Sequence, residues 1–368
     1  MKFSIDREAL LEPLQLVSGV VERRQTLPVL ANLLLVINDN VMHLTGTDQE
    51  VELSARTTAL SGSEPGEVTV PARKLMDICR SLPEKAPIEG ALDGNRVSIR
   101  SGRFKSHLAT LPVEDFPKVE MDEGRMDFSM AARTLDTLLD NTSFAMAQQD
   151  VRYFFNGMLV EVEEGIVRVV ATNGQRLALS ETDNGPDTTE KQQFIIPRKG
   201  IVELGRLISD GDDEPVALQF SDNHMQARCG QSSLITKLID GTYPDYRGAI
   251  PDGGDKVILA NRQEMREALS RTAILSNEMY RNVRLLLSEN KIEMHANNPL
   301  QEEAEESLEV DYNGGDLEIG FNVSYLIEVL SAMNGQQVKM QFTDNKSAAL
   351  ISDPEDNKSL YVISPMML

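Results

Sequence analysis

The chain has 368 residues, 41% of them hydrophobic, enough for two or three packed domains. Tryptophan is absent and aromatic residues make up 5%, so Leu, Val, Ile and 16 Met must fill the cores. With 58 acidic against 36 basic residues the net charge is −22, which argues against a protein that binds nucleic acid through a general basic surface.

In chain order, Met1-Lys2-Phe3-Ser4 reads as a strand and Asp6 as the cap of a helix whose stripe is Leu10, Leu11, Leu14 and Val17. Pro13 lacks a backbone donor and is tolerable there only in the first turns. Leu33–Ile37 reads as a strand, Asn38-Asp39-Asn40 as a turn and Val41–Thr45 as the returning strand, an antiparallel hairpin. Val70-Pro71-Ala72-Arg73-Lys74 opens a second helix with the stripe Leu75, Ile78, Cys79 and Leu82, and Arg96–Arg100 is a later strand. The same order then returns. Met126-Asp127-Phe128-Ser129 repeats the opening 125 residues on, with Ser129 as cap and Leu135, Leu138 and Leu139 as stripe. Met158–Val162 and Ile166–Val170 form the hairpin, and Ile196-Pro197-Arg198-Lys199 opens a helix with Ile201, Leu204, Gly205 and Ile208. The third pass is fainter: Lys256–Leu259, then Asn261 and Glu264 as a capping box before Met265, Ala268, Leu269 and Thr272. Leu285–Leu287 and Lys291–His295 follow, then Gly320-Phe321-Asn322-Val323 with Tyr325, Val329 and Ala332, and Ser347–Ile351 closes the pass. The fold class is α+β, three tandem repeats of two helices on antiparallel sheet. Val119–Gly124 and Pro251–Asp255 read as linkers, giving domains 1–124, 125–252 and 253–368. Three equivalent domains suit a scaffold with repeated geometry better than a single catalytic pocket.

Cys79 and Cys229 fall in different repeats and offer no disulfide framework, which fits a reducing cytoplasm. No apolar run is long enough to span a bilayer, and Met1–Glu8 reaches charge at once, without a signal-peptide core. Thirteen of the 36 basic residues lie on or beside helical segments: Arg7, Arg23, Arg24, Arg73, Lys74, Arg80, Arg133, Arg198, Lys199, Arg206, Arg262, Arg266 and Arg271. Solvated helix faces account for that count; the alternative is a row of helices turned toward a phosphate backbone. His43, His107, His224 and His295 have no metal-ligand spacing and each belongs to a strand pattern. There is no phosphate-binding glycine loop and no nucleophile elbow, and Asp210-Gly211-Asp212-Asp213 reads as an acidic turn. A hydrolase with a site assembled across repeats, or a protein-only adaptor, stays open as the alternative.

Several stretches, in one order over the whole chain, resemble the bacterial DNA polymerase III beta subunits, the DNA sliding clamps. They include Thr26-Leu27-Pro28-Val29-Leu30, Leu44-Thr45-Gly46-Thr47-Asp48, Gln149-Asp150-Val151-Arg152-Tyr153, Pro197-Arg198-Lys199-Gly200, Tyr243-Pro244-Asp245-Tyr246-Arg247 and Ala273-Ile274-Leu275-Ser276-Asn277-Glu278. The resemblance implies a non-catalytic processivity factor. It implies a head-to-tail homodimeric ring around double-stranded DNA, placed there by a clamp loader complex. It also implies docking of the polymerase III alpha subunit and other polymerases or repair proteins, with no cofactor, metal or membrane. The implied DNA contacts are Arg24, Arg73, Gln149, Tyr153, Phe154, Arg198 and Lys199. The implied peptide groove is Arg152, Phe155, Thr172, Gly174, Gln175, Arg176, Leu177, Pro244, Arg247, Asn322, Tyr325, Val362, Ile363, Pro365, Met366 and Met367. The implied dimer interface is Ser106, Leu108, Ile274 and Leu275. Gln175, Gly248, Ala249 and Met367 depart from the family pattern at the groove, and Ser106 stands where the family carries a phenylalanine. Reversing the character of the interface by placing acidic residues at Ile274 and Leu275 is expected to give monomers, and an unchanged dimer in sedimentation refutes the assignment.

Overall fold

The computed structural model describes residues 1–22, 27–58, 62–209 and 214–367. Arg24 and the acidic turn at 210–213 lie outside the described residues. The element order runs through three passes. The first is β1 (Lys2–Asp6), α1 (Arg7–Val17), β2 (Asn32–Asn38), β3 (Val41–Thr47), β4 (Val51–Thr58), β5 (Gly66–Pro71), α2 (Ala72–Ser81), β6 (Pro87–Asp93), β7 (Arg96–Ser101) and β8 (Phe104–Ala109). The second is β9 (Met126–Ala131), α3 (Ala132–Asp140), β10 (Gly157–Glu163), β11 (Ile166–Thr172), β12 (Arg176–Thr182), β13 (Gln192–Pro197), α4 (Arg198–Ile208), β14 (Pro215–Phe220), β15 (His224–Cys229) and β16 (Ser232–Lys237). The third is β17 (Lys256–Asn261), α5 (Arg262–Thr272), β18 (Asn282–Ser288), β19 (Lys291–Asn297), β20 (Glu303–Glu309), β21 (Leu317–Asn322), α6 (Val323–Ala332), β22 (Gln337–Phe342), β23 (Ala349–Asp353) and β24 (Asp356–Ile363). All strand pairs are antiparallel, as the hairpin patterns predict. No helix among the described residues is long and apolar enough to cross a membrane.

Strand pairing does not respect the repeats. Two four-stranded sheets have the orders β1-β6-β7-β8 and β20-β19-β18-β21. Two eight-stranded sheets have the orders β5-β2-β3-β4-β16-β15-β14-β9 and β13-β10-β11-β12-β24-β23-β22-β17. The last strand of the second pass therefore pairs with β4, and the last strand of the third with β12. The chain accordingly forms two compact units, Met1–Asp136 with Lys199–Leu238 and Thr137–Arg198 with Ile239–Leu368. At the β12·β24 seam, Ser180 and Ser359 face each other at 3.0 Å, and the buried Asn141 amide donates to Ser359 at 3.1 Å. These side chains satisfy one another inside an otherwise apolar layer.

The helices start differently from the sequence pattern in several places. Asn261 caps α5 by accepting from the Gln263 and Glu264 amides, which is half of the expected capping box. Ser129 is not a cap: β9 runs through Ala131 and α3 begins after it. Asp6 precedes α1 but makes no side-chain cap bond, and the Arg7 amide donates to the Ala86 carbonyl. Pro13 sits in the middle of α1 rather than in its first turns. The buried stripe of α6 is Val323, Leu326, Val329 and Leu330, rotated from the expected Tyr325, Val329 and Ala332. Arg7 and Arg262, first residues of α1 and α5, turn inward. Arg7 Nε donates to the Cys79 carbonyl at 2.9 Å, and Arg262 donates to Leu330 and Gly335 at 2.7 and 2.6 Å. Each guanidinium thereby meets the orphan carbonyls and negative dipole end of the neighbouring helix.

One buried carboxylate organises the segment that becomes important below. Glu161, in the apolar run of β10, is 1% exposed. It accepts from Arg168 and Arg247 at 2.8 Å, from Gln193 at 2.8 Å and from the Tyr246 hydroxyl at 3.0 Å, and pairs with Lys191 at 2.7 Å. Burial raises its pKa, but the surrounding donors outweigh burial and hold it at about 2. A folded-state pKa below the ordinary value stabilises the fold above the ordinary value, and the contribution is lost as pH falls through the folded one. Glu161→Gln is expected to cost about 3 kcal/mol at neutral pH. In urea unfolding the gap between variant and wild type should close between pH 4.5 and about 2.

Candidate functional site: an apolar groove at a sheet seam

A hollow of about 150 Å³ opens beside the β12·β24 pairing. Phe155, Thr172, Gly174, Gln175, Arg176, Leu177, Pro244 and Val362, all expected from the sequence, line it. Ala249, one of the groove positions that depart from the family pattern, also lines it, and Tyr243, Asp245, Tyr246, Ala348 and Ser364, which were not anticipated, complete the lining. The signal for Tyr243 and Tyr246 lay in the aromatic–proline stretch itself, since both are buried against Phe155, Leu177 and Val362.

The floor is a tight turn between β11 and β12. Asn173 Oδ1 accepts from the Gln175 and Arg176 amides at 2.9 and 3.0 Å, and Thr172 Oγ1 donates to the Arg176 carbonyl at 2.6 Å. Gly174 has φ +87°, but the matching turn of the first pass puts Gln49 at +76°. Conformation alone therefore does not demand glycine. A Cβ on Gly174 would lie 2.7 Å from Arg152 Nη1, so the end of that side chain would have to shift to admit one. Arg152 is clamped by Asp150 at 3.0 and 2.9 Å, donates to the Asn173 carbonyl and lies 4.6 Å over the Phe155 ring. The Arg152 clamp holds the Asp150 carboxyl at about 2.

Arg176 forms the other wall. Its guanidinium stacks 4.4 Å over Tyr325, pairs with Glu328 and donates to the Phe144 carbonyl. The Tyr325 hydroxyl accepts from Asn173 at 3.1 Å and reaches Gln175 Oε1 at 3.3 Å. The third wall, Tyr243 to Tyr246, is tied down by Glu161. Burial, then the Glu161 charge, raises the Tyr246 hydroxyl to about 12, so it stays a donor.

The remaining expected groove residues stand outside the lining. Arg247 points to Glu161, and Asn322 caps α6 by accepting from Ser324. Val362 and Ile363 are adjacent on β24 and face opposite sides, so only Val362 lines the hollow. Beyond the strand, the Ser364 and Met366 amides donate to the Gln175 and Gly320 carbonyls at 2.8 Å, carrying Pro365 along, and Met367 is fully exposed. Gly248 has open space around its Cα.

Of the residues expected to meet DNA, Arg73 is exposed on α2, and Lys199 pairs with Glu22 and Asp48. Gln149, exposed at φ +56°, and the exposed Tyr153 share one loop, where Phe154 meets Tyr153 edge-on at 5.6 Å. Arg198 is half-buried at the start of α4. Of the expected interface residues, Leu108 is buried on β8 and Ser106 half-buried beside it, while Ile274 is 75% exposed and Leu275 half-buried. Among the described residues, no group of three His, Cys, Asp or Glu is placed to hold a metal ion.

Three family models cover the chain: the DNA polymerase III beta subunit N-terminal domain over residues 1–120, the central domain over 129–245 and the C-terminal domain over 247–367. The beta sliding clamp of Pseudomonas aeruginosa is 52% identical over 368 residues, all of both chains, and that of Escherichia coli K12 46% over the same span. A crystal structure of the Pseudomonas aeruginosa sliding clamp bound to griselimycin covers both chains fully, with a TM-score of 0.96 at 52% identity. One from Bartonella birtlesii, also bound to griselimycin, matches at 0.96 with 33% identity and full coverage. Three α+β passes, full-length identity and matching architecture agree: the chain belongs to the bacterial DNA polymerase III beta subunit family, the beta sliding clamps.

Proposed function

We propose that two copies of this chain close head to tail into a ring around duplex DNA, and that the apolar groove tethers polymerases and other DNA-processing proteins to it. As a beta sliding clamp the chain is a non-catalytic processivity factor of DNA polymerase III. The observation that carries the ring is a pair of open edges. β4 and β12 each pair with the last strand of the following pass, while their counterpart β20 ends its sheet. β16 and β24 are likewise paired, while their counterpart β8 ends its sheet. Exposed edges invite pairing, and a second copy supplies the missing partner for both at once. Closure after two copies gives six equivalent domains, bounded at 1–124, 125–252 and 253–368.

Double-stranded DNA is held by enclosure, without reading sequence, and Arg24, Arg73, Gln149, Tyr153, Phe154, Arg198 and Lys199 meet the backbone weakly. The chain carries no phosphate-loop motif, so a clamp loader complex opens the ring. The ring works in the cytoplasm. Aliphatic and aromatic side chains of short peptides from the polymerase III alpha subunit, other polymerases and the loader fit the apolar lining, with Arg152 and Arg176 fixing its walls. The griselimycin-bound relatives support a ligand-binding role for the family's surface.

Retention on nicked circular DNA after loading tests the ring. Linearising the circle should release the protein, and equal retention on both forms means ordinary surface binding. Leu177→Ala should weaken binding of a labelled peptide ending in leucine and phenylalanine by about tenfold in fluorescence anisotropy, with dimerisation unchanged. An unaffected peptide affinity would remove the groove from this role.

A further inference from the structure

The joined sheets contain two worked examples of the junction that the open edges β8 and β20 would make. In the hairpins, Thr45 faces Ser54, Val170 faces Leu179 and His295 faces Glu305, at matching places in the three passes. Likewise Arg100 faces Lys105, Arg228 faces Ser233 and Ser352 faces Leu360. Across the seams Ser233 stands opposite Ser54, and Leu360 opposite Leu179. Carried to the open edges, that register sets Lys105 opposite Glu305, Ser106 opposite Ala304 and His107 opposite Glu303.

The inner face of each seam is filled where Ser106 and Ala304 would meet. At the first seam this position is Leu234 against Leu53, both fully buried, and at the second it is Tyr361 against Ala178, 1% and 0% exposed. Tyr361 also packs on Phe144, with ring centroids 6.0 Å apart. Phe144 is the middle residue of the 3-10 turn Ser143–Ala145, and its counterpart in the turn Ala273–Leu275 is Ile274, exposed to 75%. A large side chain therefore covers Phe144, whereas Ser106 is too short to cover Ile274. The Ser106 hydroxyl is also enclosed without a hydrogen-bond partner.

Resting on the ring reading above, we infer that Ser106 limits the strength of ring closure in this chain: the junction is underfilled inside and is held by its charged outer face. On that face Lys105 and His107, with Arg96 and Arg100 on β7, meet Glu303 and Glu305 of a second copy, where His295 already contacts Glu305 at 3.2 Å. Charge pairs at a strand edge weaken with salt, while buried apolar contact does not.

Sedimentation equilibrium of the full chain at low and high salt tests this. Ser106→Tyr should tighten the dimer about tenfold and reduce its loss at high salt, whereas Ser106→Ala should leave it unchanged. A second measurement fixes the register independently of that substitution. Ser106→Cys combined with Ala304→Cys should give a covalent dimer under mild oxidation, while Ser106→Cys with Glu302→Cys should not; the native Cys79 and Cys229 are buried. A Ser106→Tyr dimer no tighter than wild type, with the cross-link between positions 106 and 304 formed in the double variant, overturns this inference and leaves the ring standing. Preferential cross-linking to position 302 overturns the register. A folded monomer at every concentration, without cross-link, overturns both.

Discussion

Hydrogen bonding across two strand pairs governs this molecule. β4 with β16 and β12 with β24 convert what would be four short sheets into two of eight strands. A strand edge without a partner exposes a row of donors and acceptors, so each seam removes two edges and buries the side chains on its inner face. The compact units follow the seams and cut through the middle pass. A repeat here is not an independent folding body. In the middle pass the first sheet is completed by the following pass and the second by the preceding one, while the outer passes each keep one four-stranded sheet of their own.

The two seams are built alike, yet among the described residues an apolar groove opens at the second. At the first, Thr47-Asp48-Gln49-Glu50-Val51-Glu52 occupies the turn; at the second, Thr172-Asn173-Gly174-Gln175-Arg176-Leu177. Glu52 receives the Val119 amide at 3.3 Å and is partly buried, which raises its pKa. Leu177 in the same place has no polar group to offer, so the hollow beside it stays apolar and unclaimed. Val51 likewise gives way to Arg176, whose stacking on Tyr325 builds a wall. Gly174 in place of Gln49 makes room for Arg152 over Phe155. Three side-chain exchanges on one backbone frame distinguish the second seam, with its apolar groove, from the first.

Much of this was legible in the sequence because it is local. Hairpin turns, proline before a helix and apolar stripes signal themselves within a few residues, and the threefold recurrence of Phe3, Phe128 and Ile258 exposed the repeat. The seams were not legible, because Leu53 and Leu234 are adjacent in space but distant along the chain, with nothing local to pair them. Glu161 was missed because a charge within Val160-Glu161-Val162 reads as an outward-facing position of an alternating strand. Only the cations converging on it from β11, the segment before β13 and the 246–247 turn reveal it as buried. Ser129 failed as a cap for a related reason. Pairing with Ala217 extends β9 past it, so tertiary pairing overrode a local preference.

The charge distribution bears on how such a chain would hold a polyanion. Several of the helical cations are already committed. Arg7 and Arg262 close neighbouring helix ends, and Lys199, Arg206 and Arg271 are paired with carboxylates. Arg73, Lys74 and Arg80 remain exposed on α2. A protein of net charge −22 that relied on surface affinity would need many uncommitted cations, because each phosphate contact adds only a modest, salt-sensitive increment. Enclosure removes that requirement. A closed ring needs contacts weak enough to break and reform along the duplex, and a few exposed cations on one helix suit that better than a continuous basic surface.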